Sequence, residues 1–173
     1  MSVSKTIRPA QEKDLPEILA IYNDAICTTN AVYTETQTTL EERKAWFLRQ
    51  QEAGFPIFVA ITGRNDQEKI AGFGTFGQFR PWAGFKYSVE HSLYINRAFQ
   101  GQGFGGLILN RLLEEAVKMK LHLMVAGIDS GNKASIRLHE KFGFTSVGLL
   151  KEAGYKNGQW LDLNFMQKML TVR

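Results

Sequence analysis

Between Ile95 and Leu107 the chain reads Asn96-Arg97-Ala98-Phe99-Gln100-Gly101-Gln102-Gly103-Phe104-Gly105-Gly106, with four glycines in six positions. Before it, Val89-Glu90-His91-Ser92-Leu93-Tyr94-Ile95 has the composition of a strand, and after it about Gly105 to Lys120 carries apolar residues at helical spacing. Glycines let a ligand lie against the backbone, and the first amides of a helix lack internal partners and sit at the positive end of its dipole. That dipole favours an anion by about 0.3–2 kcal/mol. A strand, a glycine loop and a helix N-terminus in this order form a phosphate cradle, which requires a sheet with helices packed on it.

Gly101, Gly103 and Gly106 also satisfy the dinucleotide pattern G-x-G-x-x-G, with Asp129 after the next strand where a ribose-binding acid would stand. Against that reading, Asn96 to Gln100 separate the strand from the first glycine, whereas a dinucleotide fold turns directly. The preceding half of the chain is meander-like, and the segment after Asp129 is too short for the remaining βαβ units. No Gly-Lys-Ser/Thr follows, so a P-loop is excluded. Glycines that only turn the chain are a further reading, but four exceed what a turn needs.

Ile7 to Pro9 reads as a first strand. Asp14 is expected to cap a helix carrying Leu15, Ile18, Leu19, Ile21 and Tyr22, with Pro16 tolerated in its first turn. Thr28 to Thr39 reads as a loop. Thr39 and Glu42 stand at capping-box spacing and open a second helix, which Gly54 and Pro56 end. Strands follow at Ile57 to Thr62, Ile70 to Phe76 and Tyr87 to Ile95, the first two joined by Gly63-Arg64-Asn65-Asp66. After the glycine-led helix come a strand at Leu121 to Ile128 and a helix at about Lys133 to Phe142. Val147 to Tyr155 and Trp160 to Met169 are expected to form a hairpin across Asn157-Gly158.

With 173 residues the chain has room for one domain, read here as residues 1–173, large enough to fold without disulfide or metal. One cysteine, Cys27, allows no internal bridge, and with no apolar leader segment this suits the cytoplasm. The charge of +4 is scattered and includes no polybasic run, so neither nucleic acid nor membrane is an expected partner, and a small polyphosphate ligand suits it equally. No HExxH, CxxC pair or G-x-S-x-G occurs, and no metal is expected.

Gln100-x-x-Gly103-x-Gly105 resembles the pyrophosphate-binding motif Q/R-x-x-G-x-G/A of the GNAT (GCN5-related) N-acetyltransferases, and the order of elements is similar to that fold over essentially the whole chain. Arg80-Pro81-Trp82, Val89 to Ile95, Gly131-Asn132-x-x-Ser135-Ile136-x-Leu138-His139, Gly143-Phe144 and Gly154-Tyr155-Lys156 resemble the branch containing phosphinothricin and methionine sulfoximine acetyltransferases. The fold implied is α/β (α+β): a strongly bent mixed sheet flanked by helices, in the order strand, two helices, three strands, helix, strand, helix, two strands. The activity implied is transfer of acetyl from acetyl-CoA to the α-amine of a small amino acid or analogue such as methionine sulfoximine, methionine sulfone or phosphinothricin. A homodimer is also implied, with the terminal hairpin bearing Tyr155 and Trp160 as a contact. An acyl-CoA sensor without turnover and a dinucleotide-binding protein are the rival readings.

By the same resemblance, backbone groups of Leu93, Tyr94 and Ile95 pair with the pantetheine arm, in the manner of an added strand. Amides of Gly101, Gln102, Gly103, Phe104, Gly105 and Gly106 hold the pyrophosphate, and Asn132 and Ser135 reach the cofactor from the following helix. Arg80, Pro81 and Trp82, with Glu90, His91 and Ser92, form the acceptor pocket. An α-ammonium must lose a proton before it attacks a thioester, and Glu90, its pKa raised by partial burial, is the candidate base. His91 points to the opposite face of a regular strand, so both contribute only if the strand bulges, and an N–H freed by that bulge would steady an oxyanion. His139 stands where many members of the superfamily carry a tyrosine that protonates the departing thiolate. Two roles are open to it: general acid, or packing with a single hydrogen bond. Arg80 suits a carboxylate through its bidentate fork, and Trp82, Phe79 and Phe85 could wall the acceptor's side chain.

Overall fold

The computed structural model describes residues 5–63 and 68–170, so the turn expected at Arg64-Asn65-Asp66 lies outside the described residues. Strand β1 (Lys5–Pro9) leads to helices α1 (Leu15–Thr28) and α2 (Leu40–Glu52), then to β2 (Ile57–Thr62), β3 (Lys69–Gln78) and β4 (Ser88–Ile95). Helix α3 (Phe104–Lys118), β5 (Leu123–Asp129), α4 (Lys133–Lys141), β6 (Thr145–Lys156) and β7 (Gln159–Met169) complete the order, as the sequence implies. The strands form one sheet in the order β1-β2-β3-β4-β5-β7-β6. Among the described residues only β4 and β5 pair in parallel, which removes the dinucleotide reading, because that fold needs a mostly parallel sheet.

The sheet separates two cores. On one face Ile108, Leu109 and Leu112 of α3 are fully buried against it. On the other, Leu15, Ile18 and Ile21 of α1 and Phe47 of α2 pack on Val59 and Phe73. Each such side chain contributes about 1.5–3 kcal/mol relative to exposure. Burial on both faces explains why β2 is apolar from Ile57 to Ile61 rather than alternating. Close approach of α3 depends on Gly74, where a Cβ would lie 2.4 Å from Ile108 Cγ2.

The capping box forms as expected: Glu42 N donates to Thr39 Oγ1 at 3.2 Å and Thr39 N to Glu42 Oε2 at 2.8 Å. Asp14 does not cap α1. It ends a 3₁₀ turn, accepts from Gln11 N at 2.7 Å, and pairs with Arg8 at 2.6 and 2.9 Å, an arginine on β1 that local spacing does not reveal. Asn157 and Gly158 both take positive φ, 50° and 75°, the backbone an Asn-Gly hairpin requires. Along the edge strand β6, Val147, Leu149, Leu150 and Tyr155 stay exposed, as does Trp160 at the start of β7.

Candidate active site

Strands β4 and β5 pair only at Ser88↔Leu123, Val89↔Met124 and Glu90↔Val125, and then part. Beyond Glu90, one edge of β4 therefore has no ladder. Phe79 N donates to Ser88 O and Asn96 N to Ala71 O, so in antiparallel alternation the even residues from Ser88 to Asn96 bond to β3. The amides and carbonyls of His91, Leu93 and Ile95 then face the gap. This narrows the backbone set expected from sequence: Leu93 and Ile95 offer groups to a ligand, whereas those of Tyr94 belong to the β3 ladder. The expected bulge is absent, since the β3–β4 register is unbroken from Gly72↔Ile95 to Gln78↔Val89. Divergence from β5, rather than a bulge, frees the backbone.

Glu90 sits where the strands part. Its half-buried carboxylate lies over Gly127 of β5, where an added Cβ would come within 3.1 Å of Glu90 Oε1. No hydrogen bond to that carboxylate occurs among the described residues. Burial raises its pKa, partly offset by the positive charge of Arg80. A carboxylate that is desolvated, unbonded and facing a gap is suited to accept a proton. Ser92 shares its face of β4, and His91 points the other way.

His91 and His139 are buried and stacked, 5.0 Å between ring centres, with Nε2 atoms 2.9 Å apart. His139 Nδ1 lies 2.7 Å from the Ser135 carbonyl, which only accepts, so Nδ1 carries a proton. Burial lowers both pKa values, His91 to about 3, so both rings are neutral. His139 Nε2 then accepts from His91 Nε2–H, leaving His91 Nδ1 buried without a partner. A neutral His139 has no proton free for a thiolate; the arrangement matches packing with one hydrogen bond to the backbone.

The glycine loop ends at Gly103, the residue before α3, whose φ of 86° is strained for any side chain but hydrogen. Gly101 also takes positive φ, 73°, while Gly105 and Gly106 meet Leu138 of α4 and Phe142 just after it, so the glycines divide between cradle and helix packing. The Lys5 ammonium bonds the Gln102 carbonyl and lies 5.2 Å from the Phe104 ring, placing a cation at this corner. With the exposed Gly101–Gly103 backbone leading into first-turn amides that lack helical partners, and a cation beside it, the loop fits a diphosphate. Asn132 caps α4 by accepting from Ser135 N at 3.0 Å, and both line the gap between β4 and β5 with Asp129 and Ala31.

Arg80, Pro81 and Trp82 lie exposed on the loop after β3. Arg80 stacks over Phe79 at 4.1 Å and donates to its carbonyl, while Phe85 stands 6.0 Å from Phe79 and 6.4 Å from Trp82. Sequence reasoning missed the wall opposite. Tyr33 OH donates to Asp129 Oδ2 at 2.9 Å and to Asp162 O at 3.1 Å, and Lys156 Nζ binds the Ile26, Thr29 and Val32 carbonyls. Both tie the 29–39 loop to the sheet, and neither leaves a local sequence signal.

Residues 6–145 match the family described as acetyltransferase (GNAT) domain. An L-methionine sulfoximine/L-methionine sulfone acetyltransferase from Pseudomonas paraeruginosa is 45% identical over 165 residues, covering 95% of this chain and 94% of that protein. Phosphinothricin N-acetyltransferase of Streptomyces coelicolor is 32% identical over 164 residues, 95% of each. YncA of Salmonella typhimurium, solved with its cofactor acetyl-CoA, superposes with a TM-score of 0.92 at 40% identity, covering 98% of this chain and 96% of that one.

Proposed function

The chain belongs to the GNAT acetyltransferases and is an acetyl-CoA-dependent N-acetyltransferase, and from that premise we propose how its residues divide the work and which acceptor they take. The acceptor is a small amino acid with polar oxygens on its side chain: methionine sulfoximine, methionine sulfone or phosphinothricin. The names of the 45% and 32% identical relatives support that choice. The observation that carries the mechanism is the unbonded Glu90 carboxylate at the parting of β4 and β5.

Acetyl-CoA supplies an activated acetyl group as a thioester. The amides at Gly101 to Gly106 hold its diphosphate, Leu93 and Ile95 pair with its arm, and Asn132 and Ser135 flank it. Glu90 takes the proton from the acceptor's ammonium, directly or through water, so that nitrogen can form its bond to the acetyl carbon while the carbon–sulfur bond breaks. Arg80, beside Glu90, holds the α-carboxylate, with Pro81, Trp82 and Ser92 completing the pocket; His91, turned to the opposite face of β4, does not join them. The thiolate leaves without an obligatory acid, its ordinary pKa being about 8.5, and takes up the second proton that the nitrogen sheds as the amide forms. His139 positions His91. The chain acts as one domain over residues 1–173, as a cytoplasmic homodimer through the hairpin of exposed Tyr155 and Trp160, without metal, nucleic acid or membrane.

Thiol release from acetyl-CoA on adding methionine sulfone tests the reading; no release with any amino acid or its sulfone or phosphinate analogues would overturn it. Arg80→Ala should raise the acceptor's KM about tenfold or more with acetyl-CoA's KM unaltered, and an unchanged acceptor KM removes Arg80 from that role. Gly103→Val strains φ and fills the cradle, so acetyl-CoA should bind about 100-fold more weakly, about 2.7 kcal/mol. Retained affinity by calorimetry would place the diphosphate elsewhere.

A further inference from the structure

On the α1/α2 side of β4 lies a second cavity, of about 400 Å³, whose lining includes Tyr22, Arg43, Trp46, Arg49, Ser92 and Tyr94. Arg43 is 7% exposed, with its guanidinium carbon 4.0 Å from the Tyr22 ring centre and 4.7 Å from that of Trp46. Among the described residues it forms no ion pair, and its Nε has no hydrogen-bond partner. Glu42, the one carboxylate on the lining, is engaged at the α2 cap by Thr39 N at 2.8 Å and Thr38 Oγ1 at 2.9 Å. Burial alone works against the charge of Arg43 and is the largest influence on it.

The Tyr22 and Trp46 rings and the Tyr22 hydroxyl steady the guanidinium, but its Nε–H is left without an acceptor. A buried donor without an acceptor costs about 1–3 kcal/mol, which an entering oxygen would recover. Arg49 adds a second cation, so the cavity favours an oxygen that is anionic or strongly polarised.

The cavity also adjoins the reaction centre. Ser92 lines both it and the gap between β4 and β5, and Glu90, Ser92 and Tyr94 share one face of the strand. Successive residues on a face are about 6.8 Å apart. The five bonds from an α-amino nitrogen to a δ-sulfonyl oxygen span about 6 Å, one such step.

We infer that this cavity receives the sulfonyl, sulfoximine or phosphinyl oxygens of the acceptor's side chain, with Arg43 as their hydrogen-bond donor. The inference rests on the proposed acceptor class and adds its specificity-determining residue. Amine, carboxylate and side-chain oxygens then meet Glu90, Arg80 and Arg43 in turn, and an amino acid without those oxygens leaves the Arg43 Nε–H unsatisfied.

Two measurements test it. In wild-type protein labelled with ¹⁵N, the Arg43 Nε–H resonance, assigned by its disappearance in R43K, should shift with methionine sulfone and stay in place with methionine. In R43M, the ratio of kcat/KM for methionine sulfone to that for methionine should fall at least tenfold, acetyl-CoA binding serving as the check that the variant folds. If methionine sulfone leaves the resonance unmoved, or the ratio survives in folded R43M, Arg43 is only a core cation held by its rings and the inference is overturned. If R43M does not fold, the wild-type spectrum decides. If wild-type protein releases no thiol with methionine sulfone, the proposed acceptor class fails and takes this inference with it.

Discussion

Glu90→Gln should lower kcat by about 100-fold or more, the usual contribution of a positioned base, while acetyl-CoA affinity stays within about twofold. Glutamine keeps the shape of the side chain over Gly127 and adds no charge, so the loss reports proton transfer rather than packing. The pH profile gives a second readout. Burial raises the Glu90 pKa, so in wild type kcat/KM should climb with pH through a midpoint above the ordinary glutamate value of about 4.3, as the carboxylate becomes able to accept. In the variant that limb should vanish, leaving only the rise set by ionisation of the amine itself. An unchanged profile would mean that water or the free amine pool supplies the deprotonated nucleophile and that Glu90 is a bystander.

The parts of this site that sequence could reach are those whose cause is local. Gly103 before α3, the Thr39–Glu42 box and the Asn157-Gly158 turn each depend on a few neighbouring residues, and each stands where pattern reading puts it. Glu90, the proposed base, was legible from its place in a strand before the glycines. What lies beneath it was not, because Gly127 is brought under its carboxylate only by parallel pairing of β4 with β5.

The expected bulge fails for a related reason. A strand can free its backbone either by inserting a residue or by losing its neighbour, and sequence cannot distinguish them. Here β3 stays in register with β4 throughout and β5 turns away, a decision made by the packing of β5 against β7 from Leu123↔Met169 to Asp129↔Leu163. Arg43 was unreadable for yet another reason. Among the charged positions of α2 it looks like solvated surface, and only the rings of α1 and β4 that join Trp46 around it reveal that it is enclosed.

The most distant of these contacts carries the largest expected effect on stability. Lys156, 2% exposed, directs three ammonium hydrogens at the carbonyls of Ile26 (2.6 Å), Thr29 (2.6 Å) and Val32 (2.9 Å). Ile26 is in the last turn of α1, where carbonyls lack helical partners and the dipole is negative, so a cation is favoured there. Lys156→Met keeps the length of the side chain and removes all three donors. With about 1–3 kcal/mol for each acceptor left buried, and partial relaxation of the loop, the net cost should be about 3–5 kcal/mol, lowering Tm by about 10 °C. Arginine should not rescue it, because a planar fork cannot aim at three carbonyls converging on one point. Catalysis should suffer as well: the same loop places Ala31 in the gap between β4 and β5 and holds Tyr33 on Asp129, so KM values should rise in the folded fraction. A Tm within about 2 °C of wild type by scanning calorimetry would show that Tyr33 and the Glu35 bond to Asn157 N hold the loop without Lys156.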